Sequence, residues 1–448
     1  MTGPDTELDR AAHSGDDLAD RTVSALMDGY PLPEAMDRLG QASRLMAGWT
    51  CNADLTSRAW RVDGQSPDIV EAMARYAREG SALPDWADPA RIDEAESVFM
   101  AYGPLSCTLL FCASLPACYQ MPQLAEVLHL SGQLEQHTEH RIRQTAAMIF
   151  PVMMDGGLTT PGGGVVAQVL KVRLIHATIR HLIVTRQADE AHTLRDSRHQ
   201  VWCRHDWNTE QLGLPCSQLE LAFTLLTFHA VFLKAMRTLN MGLTGRQETA
   251  YLHAWNVVGH VLGIDASLMA HDMDSALALL DRFQSCGAQP AGRIDARPAL
   301  GQALVKALSD SIRVPVIRHL PVPMIERLLG RPAAQSIGVG PQAGWATRTL
   351  FRTGMFLIGS IDRVGRLFAP GFSLTRMFTR AIGYHLLTRF LLDQTRPLAL
   401  PERLLDQMHN TVDGWHADVH APAWLNRVED WLTTSGSWVP PSARKVPT

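Results

Sequence analysis

The sequence predicts an all-α fold, and three observations carry that expectation. Apolar residues recur at helical spacing through most of the chain, strand-like alternation with hairpin signals is scarce, and Pro- and Gly-rich breaks separate the apolar runs. The 448 residues exceed the common domain size of about 100–150 residues, yet a helical fold can keep one continuous core over such a length. One large domain is expected, with an N-terminal helical segment over 1–80, a central body over 81–345 and amphipathic C-terminal helices packed on the core over 346–448.

The composition supports a folded chain and excludes several classes. A hydrophobic share of 46% supplies a core, and 19% charged residues is too few for a long solvated or disordered chain. The 41 basic and 45 acidic residues nearly cancel, and no basic stripe is present to bind phosphates, so nucleic acid is excluded as a partner. Lysine occurs only at Lys171, Lys234, Lys306 and Lys445, which disfavours Schiff-base chemistry. The seven cysteines lack CxxC spacing and read as reduced thiols of a cytoplasmic protein. The N-terminus carries acids and no apolar h-region, so it does not read as an export signal. Leu105–Cys112 and Leu221–Leu233 are too short or interrupted for the ~20 residues of a bilayer span, and no transmembrane helix is expected.

Along the chain, Asp17–Met46 has helical periodicity and is split in two by Pro31-Leu32-Pro33, forming a peripheral segment. A Pro-rich turn from Ala82 leads into a helix with an acidic first turn. Three helical stretches lie between Cys107 and Thr185, with breaks at Ser131-Gly132 and at the loop Gly156–Gly164. That loop reads as a tight crossing, since Val165-Val166 stands where a P-loop needs Lys and Ser or Thr. Cys216 or Ser217 opens an apolar helix to Leu239, and helices over Gln247–Leu262 and Asp274–Gln284 follow, with a turn at Gly263-Ile264-Asp265. Beyond Trp345, Arg348, Arg352, Arg363, Arg366, Arg376 and Arg380 punctuate amphipathic helices whose basic face is suited to packing, to solvent or to peripheral contact with a membrane.

Two stretches carry candidate chemistry. In Lys171–His181, Arg173, His176 and Arg180 share one helical face, so a buried neutral imidazole could face iron while guanidiniums neutralise carboxylates. A hydrogen-bonded core histidine with acid-paired arginines fits the same pattern. In Arg141–Thr145, Arg141 and Thr145 lie one turn apart and could offer donors to bound oxygen. A salt bridge from Arg141 to Glu139 or Glu135, with Thr145 bonding back to its own helix, is the reading the residues alone favour. Gly338–Gly344 lacks GxGxxG spacing, HExxH and GxSxG are absent, and His253 and His260, two turns apart, have no third ligand in sequence and read as packing residues.

The chain resembles the latex clearing protein (rubber oxygenase) and MpaB-type oxygenase family. The likeness rests on LPDWAD (Leu83–Asp88), SLPACY (Ser114–Tyr119), SGQL (Ser131–Leu134), RIRQTA (Arg141–Ala146), GGLTTPGGG and KVRLIHATIR (Lys171–Arg180). It continues through LGLPCSQLELAFTLLTF (Leu212–Phe228), AWNVVGHVLGID (Ala254–Asp265) and RLLGRPAAQSIGV (Arg327–Val339). The resemblance implies a haem b held by His176, with Arg173 and Arg180 nearby, Arg141 and Thr145 on the oxygen side, and Glu126 as the nearest acid in the place of a proposed base. The missing CxxCH implies that haem is held non-covalently. Gln144 departs from the family pattern, because a lysine able to reach the iron stands there in rubber-cleaving members. Trp255–His260 looks closer to the MpaB-like branch, which implies oxygen-dependent oxidation or C=C cleavage of a small, isoprenoid-like substrate. A haem-binding sensor or carrier without turnover, or a helical interaction protein that has lost its cofactor, are the rival readings; oligomeric state is left open.

Overall fold

The computed structural model describes residues 6–57, 64–130, 145, 149, 151–185, 207–286, 295–312, 318–340, 345–368 and 374–387. All regular structure among these residues is helical, with no strand. The N-terminal run comprises α1 (Thr6–Ala12), α2 (Asp17–Met27), α3 (Leu32–Ala47), a 3-10 turn (Asn52–Leu55) and α4 (Pro67–Gly80). Next come α5 (Pro89–Tyr102) and α6 (Pro104–Leu109), which a π turn (Leu110–Ser114) joins to α7 (Leu115–Cys118), and then α8 (Pro122–Leu130). The central helices are α9 (Val165–Thr185), α10 (Thr209–Leu212), α11 (Gln218–Thr238), α12 (Gly245–Val261) and α13 (Met273–Cys286). The chain continues as α14 (Arg297–Ser311), α15 (Pro321–Leu329), α16 (Arg331–Ser336), α17 (Trp345–Phe368) and α18 (Leu374–Leu387).

Local chemistry explains where these helices begin. Proline sits in the first turn of α3, α4, α5, α6, α14, α15 and α16, where its missing N–H has no intrahelical partner to lose. Asp16, Ser217 and Thr244 cap α2, α11 and α12 by accepting from backbone N–H groups of the first turn. The helix after Leu83–Asp88 differs from expectation: it starts at Pro89, its first turn holds no acid, and the acidic group at its N-terminus is the cap Asp88, which accepts from the Ala90 amide at 3.0 Å.

The Gly156–Gly164 loop is the tight crossing the sequence predicts. Asn52 Nδ2 donates to the Gly157 and Thr160 carbonyls at 3.1 and 2.9 Å, and its Oδ1 accepts from the Val166 amide at 3.0 Å. Glu96 accepts from the Gly156 amide at 2.7 Å on the other side. A Cβ at Gly157 would collide with the Pro151 carbonyl, and one at Gly163 with the Gly157 carbonyl, so the backbone crossing leaves no room for a side chain.

The main apolar cluster runs from Leu8 to Leu386 with α11 at its centre, packed against α1, α6, the π turn, α7, α12, α13 and α15, and a smaller one gathers Val127, Leu130, Ile183 and Trp207. Phe228 stacks on Trp255 at 5.6 Å and Phe232 on Tyr251 at 4.8 Å, an antiparallel aromatic ladder between α11 and α12. The first helices are part of this core, contrary to the peripheral placement expected from their sequence. α2 packs on α9 and α4, and Ala19, Val23 and Leu26 are fully buried.

Among the described helices, α11 alone is long and apolar enough to cross a membrane, and 89% of its apolar window is buried inside the protein. The sequence places this helix to Leu239 but weighs only its stretch Leu221–Leu233 against a span, which is shorter than the helix that contains it. α5 and the α6 to α7 run pass the same test only as a pair, bent by 91°. At the far end, α18 packs on α6, and the buried Asp362 of α17 accepts from the Leu374 amide at 2.6 Å, capping α18.

Phe232 is 1% exposed and contacts both Phe99 and Tyr251. Phe232→Ala is expected to cost about 3–5 kcal/mol, read as a lower denaturant midpoint at unchanged m-value.

Candidate functional site

The site is built around α9, the helix that carries the predicted face. Arg173 is 9% exposed and places its guanidinium against Asp16 in bidentate fashion, with Nη2 donating to Oδ1 at 2.7 Å and Nε donating to Oδ2. Its third nitrogen, Nη1, donates to the Val261 carbonyl at 3.0 Å. The turn after α12 comes so close that a Cβ at Gly263 would meet both Asp16 and Arg173, and Gly263 adopts φ +85°, where glycine is favoured. Gln218 completes the junction: its amide donates to the carbonyls of Gly15 at 2.8 Å and Gly263 at 2.7 Å, and its Oε1 accepts from the Asp265 amide at 2.8 Å. Tyr76 of α4 donates to the Leu170 carbonyl at 2.8 Å, holding the same helix one turn earlier.

One turn along from this clamp, the His176 ring has its Nδ1 buried and without a hydrogen-bond partner. Burial, reinforced by the Arg180 charge and opposed by Asp16, pushes its pKa down to about 4. His176 is therefore a neutral imidazole near neutral pH, the form that ligates a metal.

Arg180, 4% exposed, lies 3.3 Å from Asp20 as an ion pair, yet none of its three guanidinium nitrogens makes a hydrogen bond. The Asp20 carboxylate is already shared with the Asp16 amide at 2.9 Å. Burial raises the Asp20 pKa against the opposing pull of Arg180. Glu220 of α11 lies in the same electrostatic neighbourhood. Its Oε2 accepts from the Cys216 amide at 2.8 Å, its Oε1 has no partner, and burial pushes its pKa up to about 8 against the pull of the Cys216 amide and Arg180. The short loop that presents it is strained: Cys216 adopts φ +51°, a conformation uncommon outside glycine.

The predicted residues thus divide. Arg173, His176 and Arg180 come together on the inward side of α9, as their spacing requires, but the two arginines are not equivalent. Arg173 is taken up by Asp16 and Val261, whereas Arg180 is a buried guanidinium with unused donors. Glu126 is buried on α8, and Thr145 is helical and half-buried. Arg141 and Gln144 lie outside the described residues. His253 packs as expected: its Nε2 accepts from the Asp88 amide at 2.9 Å, with Trp86 edge-on at 5.6 Å. No group of three or more His, Cys, Asp or Glu side chains suited to a metal ion occurs among the described residues. A haem needs only one protein ligand for its iron, so an unengaged imidazole nitrogen beside a buried, donor-rich guanidinium fits a macrocycle bearing carboxylates.

Several residues of the site carry no signal in sequence. Asp16 and Asp20 read as ordinary acids at the start of a helix, and Glu220 as a helix-dipole acid. His229 of α11 is fully buried with both ring nitrogens unpartnered, and burial pushes its pKa down to about 3.

Two expectations follow. Asp16→Ala, which strands the buried Arg173, is expected to cost about 3–5 kcal/mol, measured by equilibrium denaturation. The raised pKa of Glu220 contributes stability that is present at acid pH and lost as pH rises toward about 8, because the folded state holds a proton that the unfolded chain releases. Glu220→Gln removes that dependence, so its melting temperature relative to the parent is expected to be higher at about pH 9 than at about pH 6. The depressed His176 and His229 act in the opposite sense, their contribution being lost as pH falls below the ordinary histidine range toward about 4 and about 3.

Comparison with known proteins places this geometry among relatives. Residues 106–360 match the family model described as ER-bound oxygenase mpaB/B'/Rubber oxygenase, catalytic domain. A rubber oxygenase from Streptomyces sp. (strain K30) is 23% identical over 266 residues, 59% of this chain and 56% of that protein, so the match spans about half the relative's length. The solved structure of latex clearing protein LCP in the closed state superposes with a TM-score of 0.63 at 18% identity, covering 87% of this chain and 94% of that one, which establishes a shared fold.

Proposed function

Since the chain belongs to the MpaB and rubber oxygenase catalytic-domain family, we propose that it is a haem b-dependent oxygenase. It uses O₂ to oxidise, or to cleave at a C=C bond, a hydrophobic isoprenoid-like substrate. The observation that carries the reading is His176: a neutral imidazole with a buried, unengaged nitrogen, on the family's matching helix.

When bound, haem supplies the iron at which O₂ is activated. The chain's residues then take distinct parts. His176 is the iron ligand, and its low pKa keeps the ring neutral and able to bind over the whole physiological range. Arg180 offers its unused N–H donors to carboxylates of the cofactor. Arg173 positions α9, and hence the His176 ring, through Asp16. Arg141 and Thr145 would supply hydrogen-bond donors to bound oxygen, Glu126 is the acid nearest in sequence to the place of the family's proposed base, and Gln144 would offer an amide in place of the lysine of rubber-cleaving members.

The test is an absorption spectrum of the purified protein, reduced with and without CO. The parent is expected to show a Soret band that shifts with CO, and His176→Ala to lose it; native-like haem in that variant would overturn the ligand assignment. Arg141→Ala is expected to retain haem while O₂-dependent product formation falls by about 100-fold or more. Undiminished turnover would instead remove Arg141 from the oxygen side.

A further inference from the structure

Eight large apolar side chains stand out in solvent among the described residues, and five of them are on α17: Phe356, Leu357, Ile361, Val364 and Leu367, with Leu367 81% and Phe356 71% exposed. The opposite face of α17 is anchored. Phe351 packs on the core, and Asp362 is buried where it caps α18. At about 100° per residue, the five exposed side chains and the exposed Thr349 and Thr353 fill one broad outward sector. Arg348, Arg352, Arg363 and Arg366 all fall in a single neighbouring sector about 60° wide. Asp362, the helix's one acid, is turned inward.

We propose that α17 is a docking helix that lies in the plane of a lipid surface bearing anionic headgroups. Its apolar face enters the boundary between headgroups and acyl chains, and its arginine edge meets lipid phosphates. α17 is long enough for a span but too rich in charge to be one, and its opposite face is held by the protein, so it lies on the surface rather than crossing. Charge selects lipid over a second copy of the chain. Pairing two α17 faces would bring arginine edges together with no outward acid on either helix to neutralise them, whereas a phosphate-rich surface supplies the missing anions.

This inference is independent of the cofactor, and its test needs neither haem nor substrate. The full chain is floated through a density gradient with vesicles of phosphatidylcholine alone or of phosphatidylcholine mixed with phosphatidylglycerol. The parent is expected to float with the anionic vesicles and to be released by high salt. Phe356→Ser combined with Leu367→Ser is expected to weaken binding by about tenfold or more, and Arg363→Glu to weaken it on anionic vesicles. Because these side chains face solvent, both variants should keep the parent's circular dichroism and melting temperature. A parent that floats with neither vesicle, or variants that float equally well, would overturn the proposal. So would a dimer in light scattering that Phe356→Ser with Leu367→Ser dissolves, since that assigns the face to a second copy.

Discussion

The buried pair between Arg173 and Asp16 is the interaction on which the rest of this structure turns. Removing a guanidinium and a carboxylate from water costs several kcal/mol for each, and attraction offsets this only when the remaining hydrogen-bonding capacity is filled. Here both carboxylate oxygens are used and the spare guanidinium nitrogen reaches the Val261 carbonyl. The consequence is geometric more than energetic. One contact joins the loop before α2, the middle of α9 and the end of α12, and thereby sets the rotation of α9 about its own axis. Since His176 is three residues further along that helix, the pair also determines which way the imidazole faces.

Around this junction the protein keeps charge and neutrality in an unusual balance. His176 is held neutral by burial and a neighbouring positive charge, while Glu220 is held protonated by burial against the same Arg180. The two effects pull the pH dependence of stability in opposite directions. A site that keeps an imidazole unprotonated and a guanidinium without hydrogen bonds is poorly matched to an apolar core and well matched to a group that binds nitrogen and presents carboxylates.

How much of this was legible in the sequence depended on the range of the interaction involved. Helix starts are local, and Pro31, Ser217 and the Pro89 turn marked them to within a few residues. The shared face of Arg173, His176 and Arg180 is also local, and it was readable from spacing alone. What separates the two arginines is not local: Arg173 finds its acid 157 residues away, and nothing in the chain near Asp16 distinguishes it from any other helix cap. The same limit hid Gln218 as the stitch between Gly15 and Gly263, and it made α2 look peripheral, since its amphipathic pattern is the same whether its apolar face meets the centre of the molecule or its edge. The arginine edge of α17 was visible as periodicity, but its meaning depended on knowing which side of the helix the core occupies.

The length of the Arg173 to Asp16 contact has a consequence for how the chain is made. During synthesis the first helices leave the ribosome long before α9, and the Val261 carbonyl emerges 88 residues after Arg173. Until α9 appears, Asp16 lacks Arg173 and α2 lacks one of the helices it packs on, and until the Val261 turn follows, one guanidinium nitrogen of the buried pair stays unfilled. The N-terminal third must wait, exposed, for the middle of the chain, so assembly is non-local and late.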